Sequence, residues 1–186
     1  VKRALTWVLE MRKPDGTVLW AREVDEKPWD YALLTGSSSI RHALHCGANV
    51  GALLGEHQPE WRAAADAIDV AINTNQQAFE PKDRWAMDWY YPVLTGATTG
   101  VVAKERLRSK WDEFVIEGRG VRCVNDEDRV TAAETAECSL AHAAAGDSER
   151  AKELLLWTRA HRTESGAYST GIVYPNRIVF PEIGRA

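Results

Sequence analysis

The chain has 186 residues, 45% of them hydrophobic and 27% charged, with a formal net charge of −4. That composition suits one ordinary globule with a real core, and the acidic balance lacks the clustered Lys and Arg that nucleic-acid binding needs. No run approaches the roughly 20 apolar residues of a membrane span, the apolar run after Val1-Lys2-Arg3 is too short for a signal peptide, and three cysteines without CxxC spacing predict reduced thiols in a cytoplasm.

In chain order, apolar residues at Val1, Ala4, Leu5, Val8 and Leu9 predict a helix over 1–11, stopped by Pro14-Asp15-Gly16. Residues 16–28 read as a loop or short ribbon, with Thr17 to Trp20 strand-like. Ser37 to Leu54 predicts a helix whose Thr-Gly-Ser-Ser-Ser start offers N-cap hydroxyls; Ala43, Gly47, Ala48, Gly51 and Ala52 suit close approach to a neighbour. Pro59 predicts a first turn, and Ala64, Ile68, Ala71 and Ile72 form the buried stripe of a helix to about Asn73. After a loop through Pro81-Lys82-Asp83 comes Trp85 to Gly96, in which Pro92 limits any helix. An amphipathic helix follows over 101–115, then a polar loop over 117–128. Thr131 and Glu134 match a capping box opening an Ala-rich helix to Gly146. Asp147 caps a last helix to about His161, and 163–186 read as loop with short strands.

Gly55, Gly100 and Gly146 lie 45 and 46 residues apart, each in a break between helical stretches. A period near this length, without strand signals inside it, predicts stacked helical hairpins and an all-α fold. A second echo, Trp29 to Gly36 against Trp89 to Gly96, is out of register with the glycines. The eight tryptophans read either as bulky spacers between helices or as the lining of an aromatic cavity for a sugar or an isoprenoid.

Met11-Arg12-Lys13-Pro14-Asp15-Gly16 with Trp20, and His161 to Tyr168, resemble the helix-end, glycine and aromatic signature of the prenyltransferase and squalene–hopene cyclase repeat. Leu34 to Ile40, Met87 to Gly96, Gly120 to Val124 and Ala133 to Glu137 are similar to actinobacterial proteins labelled prenyltransferases. The resemblance runs from about Trp7 to Pro181. It implies an α/α toroid, an inner ring of helices framing a cavity that takes an isoprenoid. Three hairpins make about half of such a ring. The chain therefore reads as a single toroid-like domain, the C-terminal part of a larger ring or a piece completed by a second copy in a homodimer.

Asp88-Trp89-Tyr90-Tyr91 places one acid before three aromatic rings, and Glu134 and Glu137 share a face three residues apart. Asp88, Glu134 and Glu137 are the candidate catalytic acids. Trp85, Trp89, Tyr90, Tyr91, Arg122 and Tyr168 are the candidate substrate contacts. The plain readings are a helix N-terminal charge for Asp88 and a capping box for Glu134. Asp126-Glu127-Asp128-Arg129 is the nearest match to the cyclase Asp-x-Asp-Asp, but its Arg favours ionised carboxylates, against a strong general acid. Cys138 and His142 have ligand spacing without a third partner, and His42 and His45 read as helix-face histidines, so no metal or cofactor is assigned. Two other readings stand: a six-hairpin glycosidase pairing Asp88 with Glu134 across tryptophan platforms, and a non-catalytic helical-repeat module.

Overall fold

The computed structural model describes residues 1–23 and 27–180. The chain divides into two compact units: Val1–Lys82 with Thr95–Thr98, and Asp83–Leu94 with the chain from Thr99 on. The predicted loop over 16–28 and tail over 163–186 therefore lie partly outside the described residues, at 24–26 and 181–186.

The first unit is a helical hairpin with a leading helix. Helix α1 (Lys2–Leu9), α2 (Leu34–Leu53) and α3 (Pro59–Thr74) pack together, with Pro59 in the first turn of α3. The predicted stripe Ala64, Ile68, Ala71 and Ile72 is buried, and so are Leu44, Trp61 and Phe79. The small residues of α2 do what their size predicts. A side chain at Gly47 would run into Leu5 of α1 and Trp61 of α3.

Helix α2 starts three residues early, however. Leu33 is extended and ends the approach to the helix without a side-chain cap. The Ser38 hydroxyl instead bonds back to the Leu34 carbonyl at 2.8 Å, inside the helix. Upstream, the ribbon consists of single bridges, Val18 with Arg12 and Leu19 with Ala32. Ala32 also bridges Phe79, and the Trp20 amide donates to the Tyr31 carbonyl. These pairings hold the Trp29 segment extended where its echo, from Trp89, is helical.

The second unit contains α4 (Ala86–Leu94), α5 (Gly100–Ser109), α6 (Trp111–Phe114), α7 (Ala132–Ala144) and α8 (Ser148–Trp157). The helix predicted over 101–115 breaks at Lys110 and gives way to the ribbon β1 (Val115–Ile116) with β2 (Gly120–Val121). A three-stranded antiparallel sheet joins β3 (Arg129–Thr131), β4 (Gly171–Val173) and β5 (Ile178–Phe180). The hairpin reading missed β1, β2 and β3, which are two or three residues long and carry no alternation to read. The Thr131 hydroxyl accepts the Glu134 amide at 3.3 Å and the Asp147 carboxylate accepts the Arg150 amide at 3.2 Å, so both predicted caps are present.

Gly55, Gly100 and Gly146 have φ of 72°, 64° and 79°, and a side chain at any of them would meet nothing within 4 Å. Gly16 differs: at φ 86°, an added methyl would lie 2.6 Å from the Ala67 carbonyl oxygen of α3. Gly16→Ala should therefore cost about 2 kcal/mol or more, against about 1 kcal/mol for Gly55→Ala, where only the backbone conformation is strained. Thermal melts of the two variants check this; equal losses would remove the close approach as the cause.

Candidate active site

The site rests on a proline inside a helix. Pro92 lies within α4 and has no N–H, so the Asp88 carbonyl lacks the donor that a helix supplies four residues on. Arg106 of α5 fills that gap. Its Nη2 donates to the Asp88 carbonyl and its Nε to the Trp89 carbonyl, each at 2.7 Å. The Trp89 indole N–H returns a bond to the Arg106 carbonyl at 2.8 Å. Burial lowers the Arg106 pKa, opposed by the carboxylates of Asp88 and Asp83.

This clamp fixes where the aromatic run points. Trp89 is 2% exposed and stacks on Phe114, centroids 5.6 Å apart; Tyr90 is 0% exposed. Neither ring offers a face to a ligand, so as sequence-predicted substrate contacts both are core residues in the fold. Asp88 and Tyr91 are partly buried, on the open side of α4.

Helix α7 packs against α4 and brings the other acids. Both Glu137 oxygens accept phenols, Oε2 from Tyr90 at 2.7 Å and Oε1 from Tyr91 at 3.1 Å. Burial, then the Glu137 carboxylate, raises the pKa of both tyrosines, that of Tyr91 to about 12. The two phenols therefore stay protonated and donate. Glu134, one turn before Glu137, accepts from the Thr131 hydroxyl.

Glu134 lines a cavity of about 480 Å³ with Cys123, Arg129, Thr131 and Tyr168. Burial pushes the Cys123 thiol up to about 11, and Glu134 beside it adds to the shift. Tyr168 is 48% exposed and Trp85 42%, so both side chains reach the surface. Trp85 carries the Arg84 guanidinium 5.6 Å from its centroid. Arg122 is engaged elsewhere: it donates to Asp128 at 2.9 Å and to the Glu113 carbonyl at 3.2 Å.

The remaining predicted groups resolve into structure. Arg84 pairs with Asp126 at 2.9 Å and Glu127 at 3.2 Å. The Asp126 carboxyl is held below its ordinary pKa by the bond from Arg84, which is not the adjacent Arg129 of the sequence argument. Cys138 is fully buried, and burial raises its thiol pKa. His142 sits 3.2 Å from Asp147, its ring edge-on to Trp111. In the first unit, His45, Asp66 and Asp69 approach one another. Arg41 lies 2.7 Å from Asp69 and supplies the positive charge that a cation there would bring.

The sequence reading missed Arg106 and Cys123. The signal for Arg106 was present, since a proline inside a helix demands a donor from elsewhere. Nothing local marked Cys123.

No protein-family model matches the chain. It is 44% identical over 174 residues to the MMP endo-(1,4)-3-O-methyl-alpha-D-mannosidase of Mycolicibacterium hassiacum. That alignment takes in 94% of this chain and 48% of the relative, so the chain spans about half the relative's length. Among solved structures it resembles an inactive variant of the alpha-1,6-mannanase GH76A of Salegentibacter sp. HEL1_6, in complex with alpha-1,6-mannotetrose. The TM-score is 0.70 at 11% identity, covering 96% of this chain and 56% of that one.

These comparisons overturn the prenyltransferase and terpenoid cyclase resemblance, and with it the transferase activity and the isoprenoid substrate: the extensive match is to a mannosidase. The fold expectation stands, a mostly helical chain of the α/α-toroid class. Among the described residues, no helix is long and apolar enough to cross a membrane.

The clamp on α4 can be tested by a double-mutant cycle. Arg106→Met leaves the Asp88 carbonyl without a donor, while Trp89 has the Val93 N–H four residues on, and should cost about 2 kcal/mol in denaturant unfolding. In a Pro92→Ala background the helix regains an N–H for Asp88, and the same change should cost about 1 kcal/mol less. Strict additivity would mean that Arg106 does not replace the missing helical bond.

Proposed function

We propose that the chain is part of a glycoside hydrolase that cleaves α-linked oligomannosides, with O-methylated α-1,4-mannan as its polymer. The observation that carries this reading is the 44% identity, across 94% of the chain, to an endo-acting 3-O-methyl-mannosidase. The likeness to a mannanase that holds a mannotetraose supports the same substrate class. The site's chemistry is compatible, since hydrolysis of a glycosidic bond needs two carboxyl groups and surfaces that seat sugar rings.

In this reading Asp88, on α4, is the general acid that protonates the leaving glycosidic oxygen. Glu134, on α7, is the partner carboxylate that either draws a proton from the attacking water or attacks the anomeric carbon itself. Glu134 already accepts the Thr131 hydroxyl and stands at the cavity wall, as a base must. Tyr168 and Trp85, the two exposed rings, would lie against the apolar faces of mannose.

The test is release of reducing ends from O-methylated α-1,4-mannan and from α-1,6-mannotetraose. Cleavage of the first and little of the second is expected. Asp88→Asn and Glu134→Gln should each lower kcat by about a thousandfold, with melting temperatures within about 2 °C of the parent. No cleavage of either glycan would sink the reading, and a collapsed Asp88→Asn variant would assign Asp88 to structure.

A further inference from the structure

We infer that Glu137 is not a third catalytic acid but, with Tyr91, a positioning pair that sets how the proposed acid on α4 stands relative to the proposed base on α7. The inference rests on the hydrolase reading above and concerns the same site. Three observations carry it. The first is anchoring: each Glu137 oxygen holds a phenol, at 2.7 and 3.1 Å, and a carboxylate tied to two tyrosines of α4, one of them fully buried, is fixed to that helix rather than free to turn toward a substrate.

The second is placement. Asp88 lies three residues before Tyr91 on α4, and Glu134 three before Glu137 on α7, a spacing that puts each pair on one helix face. The Tyr91–Glu137 bond is therefore one turn from each proposed catalytic carboxyl. The separation of two such carboxyl groups decides the course of glycoside hydrolysis, and an error of about 1 Å is costly in rate.

The third is the direction from which the two donors come. Neighbouring helical residues point about 100° apart. Tyr90 reaches Glu137 from the core, fully buried, while Tyr91 reaches it from the partly open side, their rings 5.6 Å apart. Two bonds from successive residues to one carboxylate resist rolling of α4 about its own axis, which a single bond would permit. Tyr90 anchors the fold, and Tyr91 trims the aim of Asp88.

The experiment is Tyr91→Phe in the protein, assayed on O-methylated α-1,4-mannan. Loss of one hydroxyl should lower kcat about tenfold, leave KM within about twofold and move the melt little. Unchanged kcat beside an active parent, or a rise in KM alone, would overturn the positioning role and leave the hydrolase reading intact. A parent inactive on the glycans would overturn that reading, and this inference with it. Glu137→Gln supplies a readout that needs no activity. Removing the carboxylate charge should bring the alkaline midpoint of Tyr91, followed by its ring-carbon NMR shift, down from about 12 toward its ordinary value. Burial and Glu134 still act on it, so the fall should be partial. A midpoint that does not move would mean that the bond is absent in solution, which also overturns the inference.

Discussion

The second unit depends on one substitution of donors: a guanidinium does the work of a missing backbone N–H. Pro92 would ordinarily kink or end α4, at a cost of about 3 kcal/mol in a helix interior. Here Arg106 takes the freed Asp88 carbonyl and, with the same fork, the Trp89 carbonyl. The reciprocal indole bond and the Phe114 stack then help to hold α4 in its setting. That setting buries Trp89 and Tyr90 and leaves Asp88 and Tyr91 on the open side. The order of side chains on one short helix thus becomes a division of labour between core and site.

Local chemistry made much of this legible in advance. The two caps at Thr131 and Asp147, the proline opening α3 and the small-residue face of α2 each rest on interactions within a few residues or on side-chain size alone, and each is found in the fold. The strands could not be read, because a two- or three-residue strand is defined by its distant partner. Arg129 to Thr131 pairs with Gly171 to Val173, some forty residues on. The same limit applies to the site. Glu134 was visible as a capping residue, while the thiol of Cys123 beside it comes from a separate loop. The rings divide likewise: spacing along the chain cannot say that Trp89 faces inward while Trp85 stays 42% exposed.

The functional misreading has a physical explanation too. Helix-end glycines and aromatic wedges are what paired helices curving round a cavity require, whichever substrate the cavity takes. A signature built from them reports architecture, and several chemistries share it. The carboxylates were the more discriminating feature. A cyclase needs an acid kept neutral, whereas Asp126 and Glu127 are held by Arg84. Carboxylates on α4 and α7, with two exposed rings in the same unit, suit the hydrolysis of a sugar polymer better.

Helix α7 also has a remote origin. Its cap, Thr131, is the last residue of β3, paired in register with Gly171, and the Ala132 amide reaches the Thr170 carbonyl at 3.4 Å. Because side chains alternate along a strand, a slip of one residue would turn the capping hydroxyl to the opposite side. The pairing of β3 with β4 therefore ties the start of α7, and the base proposed for hydrolysis, to a stretch of chain some forty residues further on.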